Sequence, residues 1–138
     1  MFSVEQRNVF AGIADILIPA FENKPAASAV GIHTELLDAV LNFRPDLIDA
    51  VKRTIEFCTG RDPSEAINAL HAQHRSDFDA FTLAATGGYY MSDTVRAAIG
   101  YPGQESPSYD PHETPDYLTD GTLERVFRRG AMYRPTPA

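Results

Sequence analysis

The sequence predicts an all-α protein, a compact bundle of about five or six short helices followed by a long extended C-terminal arm rich in proline and tyrosine. Three observations carry this reading. Apolar residues recur at helical spacing up to about residue 100, bounded by cap and stop signals. No period-two run of β-branched residues occurs anywhere in the 138 residues. Six of the ten prolines lie beyond Gly100, at Pro102, Pro107, Pro111, Pro115, Pro135 and Pro137. The expected organisation is a helical domain over 1–100 and an arm over 101–138 that packs on the body, on a partner subunit, or on both.

Ser3 followed by Gln6 is a capping box, and Val4 to Ile18 places Val9, Phe10, Ile13, Ile16 and Leu17 on one helical stripe. Pro19 closes that helix, because the residue before a proline is pushed out of the α region. After a loop over 20–28, a second helix is expected from about Ala29 to Phe43, burying Ile32, Leu36, Leu37, Val40 and Leu41. Pro45 suits the first position of a third helix, which carries Leu47, Ile48, Val51, Ile55 and Phe57 and stops at Gly60. Asp62-Pro63-Ser64-Glu65 is a strong start signal for a fourth helix with Ala66, Ile67 and Leu70, fading near His74.

Ser76 is expected to cap a fifth helix, with Asp77 and Asp79 in its first turn, where the helix dipole favours negative charge. Phe78, Phe81, Leu83 and Ala85 lead to Gly87-Gly88-Tyr89-Tyr90. A glycine inside a helix costs about 1 kcal/mol relative to alanine, so something must approach the backbone there. Ser92 caps a short sixth helix that ends at Gly100. In the arm, only Thr122 to Arg129 has the pattern for another helical turn or two. Tyr101, Tyr109, Tyr117, Phe127 and Tyr133 punctuate the arm as anchors on a stiff backbone, which loses less entropy on docking than a flexible one.

The composition narrows the function. An apolar fraction of 43% is that of a globular protein, and a net charge of −7 disfavours nucleic acid or an anionic membrane as partner. Arg125, Arg128, Arg129 and Arg134 make the end of the chain locally basic, a pattern of solvated faces and acidic partners. The run Val9 to Ala20 is too short to span a bilayer and lacks a basic segment before it. The expected compartment is the cytoplasm, with the periplasm as the alternative if the chain is exported with its partner or a leader is removed.

No residue set assembles an evident active site. Cys58 is the single cysteine, so the chain can form no internal disulfide, and it reads as a small buried apolar residue more readily than as a reactive thiol. His71 and His74 stand three apart on the fourth helix, but two imidazoles fall short of the three or four ligands a metal site needs. They read as surface histidines near a helix C-terminus. Asp15, between apolar neighbours, is either a buried acid or a residue that caps or pairs near its helix end. Asp110, His112, Glu113, Asp116 and Asp120 lack the spacing of a calcium loop. Gly87-Gly88 and Gly100-Tyr101-Pro102-Gly103 are not phosphate-binding loops.

Several short motifs give the chain a family likeness. Ile13 to Ala20 (IADILIPA), Ala29 to His33 (AVGIH), Gly88 to Met91 (GYYM), Val95 to Gln104 (VRAAIGYPGQ) and Pro115 to Leu118 (PDYL) together resemble the gluconate 2-dehydrogenase subunit 3 family, over most of the chain. The resemblance implies a non-catalytic, chaperone-like small subunit that forms a heterodimer with a large FAD-dependent oxidoreductase of the glucose–methanol–choline type. FAD and catalysis then belong to the large subunit, and no cofactor or metal to this chain. Electrons would pass to a cytochrome c or another acceptor reached through the complex. The family often carries a twin-arginine leader; this sequence opens at Met1-Phe2-Ser3 without one, which favours the assembly role over export.

The residues expected to touch the partner are Tyr89, Tyr90, Tyr101, Tyr109, Tyr117 and Tyr133, because tyrosine buries apolar area while keeping a polar tip. The bland reading is that these rings wrap the arm onto the protein's own helices. Two other functions stay open on sequence grounds, a stand-alone metal-binding or small enzyme domain using His71 and His74, and a general helical adaptor.

Overall fold

The computed structural model describes residues 2–106, 114–130 and 132. The described residues are mostly helical and contain no strand, so the all-α class holds. Two compact units divide at Gly103, Met1–Gly103 and Gln104–Ala138. The first reaches past the expected boundary at Gly100 because the chain is still tied to its last helix there. The Gly100 N–H donates to Ala97 O and the Tyr101 N–H to Arg96 O, with Gly100 at φ +69°, a Schellman closure that only glycine adopts without strain.

The first unit contains α1 (Val4–Leu17), α2 (Glu35–Phe43), α3 (Ile48–Cys58), α4 (Pro63–Gln73), α5 (Arg75–Met91) and α6 (Asp93–Ala98), with 3-10 turns at Ser28–Val30 and Pro45–Leu47. The capping box forms as expected: Gln6 N–H donates to Ser3 Oγ, and the Ser3 N–H donates to Gln6 Oε1. Asp62 likewise caps α4, its Oδ1 accepting from Ser64 N and Glu65 N.

α5 is the central strut, packed on α2, α3, α4 and α6. Its Phe81 meets Phe10 of α1 at 4.8 Å between ring centroids. Ile13, Leu37, Val51, Ile55, Leu70 and Val95 close around this pair, all fully buried. Thr54 is buried with them and donates its hydroxyl to Asp77 O.

Several expectations need correction. The second helix starts at Glu35, not near Ala29: Gly31 takes φ +74° and accepts from both the N–H and the hydroxyl of Thr34, which turns the chain before the helix can begin. Pro45 opens a 3-10 turn, and the α-helix proper follows from Ile48. Ser76 does not cap α5; the helix begins at Arg75, with His74 at the cap position and its carbonyl accepting from Asp77 and Phe78. Ser92 occupies the cap position of α6 without a side-chain hydrogen bond. Ile16, expected on the apolar stripe of the first helix, is exposed.

In the second unit the described residues include α7 (Asp116–Thr119) and α8 (Glu124–Arg129). The second of these falls in the segment expected to turn helical; the first replaces part of the expected extended chain. An Asp120 side chain accepting from the Thr122 N–H, and Gly121 at φ +85°, separate them.

Candidate interaction surface

Of the roles open to Asp15, the structure shows pairing near the end of its helix. Its carboxylate accepts from the Ser28 N–H at 2.7 Å and from the Ser28 hydroxyl at 2.6 Å. This fastens the loop after α1 at its far end. The loop is further held by the Ala27 N–H on Ile18 O, by the paired backbone bonds of Phe21 and Lys24, and by Asn23 Nδ2 on Ala98 O. Tyr89 completes the set, donating its hydroxyl to Pro25 O at 2.7 Å.

That bond gives Tyr89 an internal partner. Its side chain is 6% exposed and lies in the core, and burial pushes its phenol pKa up. Its neighbour Tyr90 is the opposite case, 57% exposed with its ring edge-on to Tyr89 at 5.6 Å. Tyr101 and Tyr117 are each about half exposed. Tyr109 and Tyr133 lie outside the described residues, as do Asp110, His112 and Glu113.

The two histidines do not converge. His71 Nε2 lies 2.9 Å from Arg75 Nη1 with its ring edge-on to Phe78, while His74 stands edge-on to Phe57. Among the described residues no group of three or more His, Cys, Asp or Glu side chains could hold a metal ion. Between α3, α4 and α5 lies a cavity of about 120 Å³ lined by Arg53, Phe57, Leu70, His74 and Asp77. There Arg53 grips Asp77 with two hydrogen bonds, and this holds the Asp77 carboxyl below the usual carboxylate range. Arg61 stacks over the Phe57 ring, and burial raises the pKa of Cys58, so the thiol stays protonated and behaves as the small apolar residue expected.

The surface feature that sequence reasoning missed lies between α2 and α5. Val40, Phe43, Arg44, Leu47, Leu83, Gly87 and Met91 line an apolar groove of about 220 Å³. Phe43 stands at its mouth, 77% exposed, and Leu83 forms the opposite lip. A signal was present: Phe43 stands seven residues after Leu36 and three after Val40, so it continues the apolar face of α2 to its last residue, where a large aromatic calls for a partner. In the second unit, Leu118, Val126, Phe127 and Met132 are likewise exposed. No helix among the described residues is long and apolar enough to cross a membrane.

No family model, curated protein or solved structure matches this chain.

Proposed function

We propose that the chain is a non-catalytic small subunit that binds and stabilises a large FAD-containing sugar or glycoside dehydrogenase of the glucose–methanol–choline type. The observation that carries the reading is the series of large apolar side chains left in solvent: Phe43, Leu83 and Tyr90 on the helical unit, and Tyr117, Leu118, Val126, Phe127 and Met132 in the arm. Exposed apolar side chains of this size support a role in protein contacts. Hydrophobic burial then drives association, and an arm of this length can cover more than about 1,000 Å² of a partner, the range of a stable interface.

The identity of the partner rests on the likeness of Ile13 to Ala20, Gly88 to Met91 and Val95 to Gln104 to the gluconate 2-dehydrogenase subunit 3 family. In this reading the flavin and the hydride chemistry belong to the large subunit, and a cytochrome c or another acceptor takes the electrons through the complex. The complex works in the cytoplasm; export together with the large subunit is the alternative.

The test is co-expression with such a flavoprotein, tagging only this chain. A yellow complex with flavin absorbance bands and sugar-dependent dye reduction is expected. A colourless, monomeric, folded protein of 15.2 kDa would sink the proposal.

A further inference from the structure

Between the start of the chain, α2 and α3 lies a cavity of about 370 Å³, lined by Phe2, Asp38, Leu41, Asn42, Ile48 and Lys52. Its volume falls within the roughly 300–1,000 Å³ of small-molecule sites. Its apolar wall belongs to the core, with Phe2 and Leu41 buried and Ile48 half-buried. Three polar side chains stand beside that wall, in different states. Both carboxylate oxygens of Asp38 accept from Arg7 Nη2, at 2.8 and 2.9 Å, so the negative charge at the cavity is already compensated. Asn42, one helical turn further along α2, makes no side-chain hydrogen bond to another described residue.

Lys52 is half-buried on α3, yet its ammonium pairs with no other described residue. Asp49 stands three residues before it and Glu56 four after, the spacings at which a helix forms its own ion pairs. Lys52 uses neither acid, and neither of them lines the cavity. Its nitrogen is not one of the buried atoms without a partner, so the stem is covered while the charged tip stays open to solvent. The net charge of −7 acts at long range, where salt screens it beyond about 8 Å. At the cavity itself, the uncompensated charge is that of Lys52.

We propose that this cavity binds a small monocarboxylate with an aromatic or aliphatic body. Its carboxylate is held by the Lys52 ammonium and the Asn42 amide, and its body packs on Phe2, Leu41 and Ile48. The polar groups decide the head group. A cation is opposed by Lys52, and the Asp38 oxygens that might receive it are taken by Arg7. A phosphate carries nearly two charges and three strong acceptor oxygens, more than one ammonium and one amide can satisfy. A neutral apolar molecule would desolvate Lys52 without giving it a partner. The inference does not rest on the small-subunit reading, since the large exposed side chains assigned to the flavoprotein contact lie outside this cavity.

The test titrates 3-phenylpropionate, indole-3-acetate and octanoate into the full chain, each beside the alcohol of the same carbon skeleton, and follows the methyl signals of Leu41 and Ile48. At least one acid should shift both residues saturably at millimolar concentration or below. Its alcohol should bind at least about tenfold more weakly, the scale of a lost hydrogen bond to a charged group. Lys52→Met keeps an apolar stem and removes the charge, and it should lose the same factor. Lys52→Arg should stay within about threefold of the unmodified chain, and Asn42→Ala should lose about threefold, the scale of one neutral hydrogen bond. The alcohols test the charge without any substitution, so the outcome stands even if a variant fails to fold.

No saturable shift with any of the three acids overturns the proposal. Equal affinity of acid and alcohol, or full affinity in Lys52→Met, would make the cavity an apolar cleft and not an anion site. Shifts at Val40 and Leu83 without shifts at Leu41 and Ile48 would place the ligand elsewhere and overturn it as well. None of these outcomes bears on the small-subunit reading, which co-expression tests.

Discussion

The Asp15 carboxylate accepts both hydrogen bonds that Ser28 can donate, at 2.7 Å from the backbone N–H and 2.6 Å from the hydroxyl. One half-buried side chain thereby fixes the return of the chain from α1 toward α2. Hydrogen bonds to a charged acceptor are shorter and stronger than neutral ones, and loss of the acceptor leaves the Ser28 amide without its partner. Asp15→Ala should lower stability by about 2 kcal/mol, and Ser28→Ala by about 1 kcal/mol because its backbone bond survives. Urea unfolding measures both, and amide exchange at Ser28 and Ala27 should quicken in the first variant only. Equal unfolding midpoints for Asp15→Ala and the unmodified chain would show that the clamp contributes nothing.

How far the fold could be read in advance depended on whether local spacing decided the outcome. Ile13, Leu37, Ile55 and Leu70 sit on regular apolar stripes, so helical phase alone places them in the core. The partner of Asp15 is thirteen residues away in the 3-10 turn that opens at Ser28, and no periodicity connects them. Gly31 stops a helix that apolar spacing would have begun, because its left-handed conformation turns the chain before α2. Tyr89 and Tyr90 differ by one helical step of about 100°. With two side-chainless glycines before them, the pattern could not say which ring faces inward. The groove at Phe43 requires knowing that α5 lies across the end of α2, which is tertiary information.

The glycine pair makes a second prediction, about stability alone. A Cβ at Gly88 would sit at ordinary van der Waals distance from Ile32, Leu36 and Val40. Gly88→Ala should therefore raise stability by about 0.5–1 kcal/mol, through helix propensity and a less flexible unfolded chain. Gly88→Leu has no open space to enter and should lower it by about 1–3 kcal/mol through overpacking. Thermal unfolding distinguishes the two. A destabilised alanine variant would mean that the added methyl group is not accommodated where Gly88 meets Ile32, Leu36 and Val40.

Arg53 and Asp77 join α3 to α5 by two hydrogen bonds, of 3.0 and 2.6 Å. The Asp77 carboxyl is held below its ordinary value of 3.8, chiefly by the hydrogen bond from Arg53, with burial opposing. A depressed folded-state pKa gives stability that is fully present above the unfolded-state value and is lost as pH falls through the folded-state one. Asp77→Asn should thus cost about 1 kcal/mol at pH 7, the scale for a partly exposed pair. The gap from the unmodified chain should narrow as the pH falls below 3.8. A gap that is constant from pH 7 to pH 2.5 would assign the cost to packing instead of charge.

The tyrosines separate stability from binding, and that separation tests the proposed function most directly. Tyr89 is buried with its hydroxyl on Pro25 O, so Tyr89→Phe deletes one internal hydrogen bond and leaves the surface as it was. It should lower stability by about 1 kcal/mol and leave complex affinity unchanged. Tyr101 and Tyr117 are about half exposed and the structure shows no hydrogen bond from either hydroxyl to another described residue. Their alanine variants should stay within about 0.5 kcal/mol of the unmodified stability. Each should nonetheless weaken the complex with the large flavoprotein by about 2 kcal/mol, close to thirtyfold in dissociation constant, if it is an interface anchor. Thermal unfolding of the free chain and titration of the complex read the two quantities separately. Full affinity in both alanine variants would remove these rings from the interface. Loss of stability without loss of affinity would mean that Tyr101 and Tyr117 hold the chain's own fold.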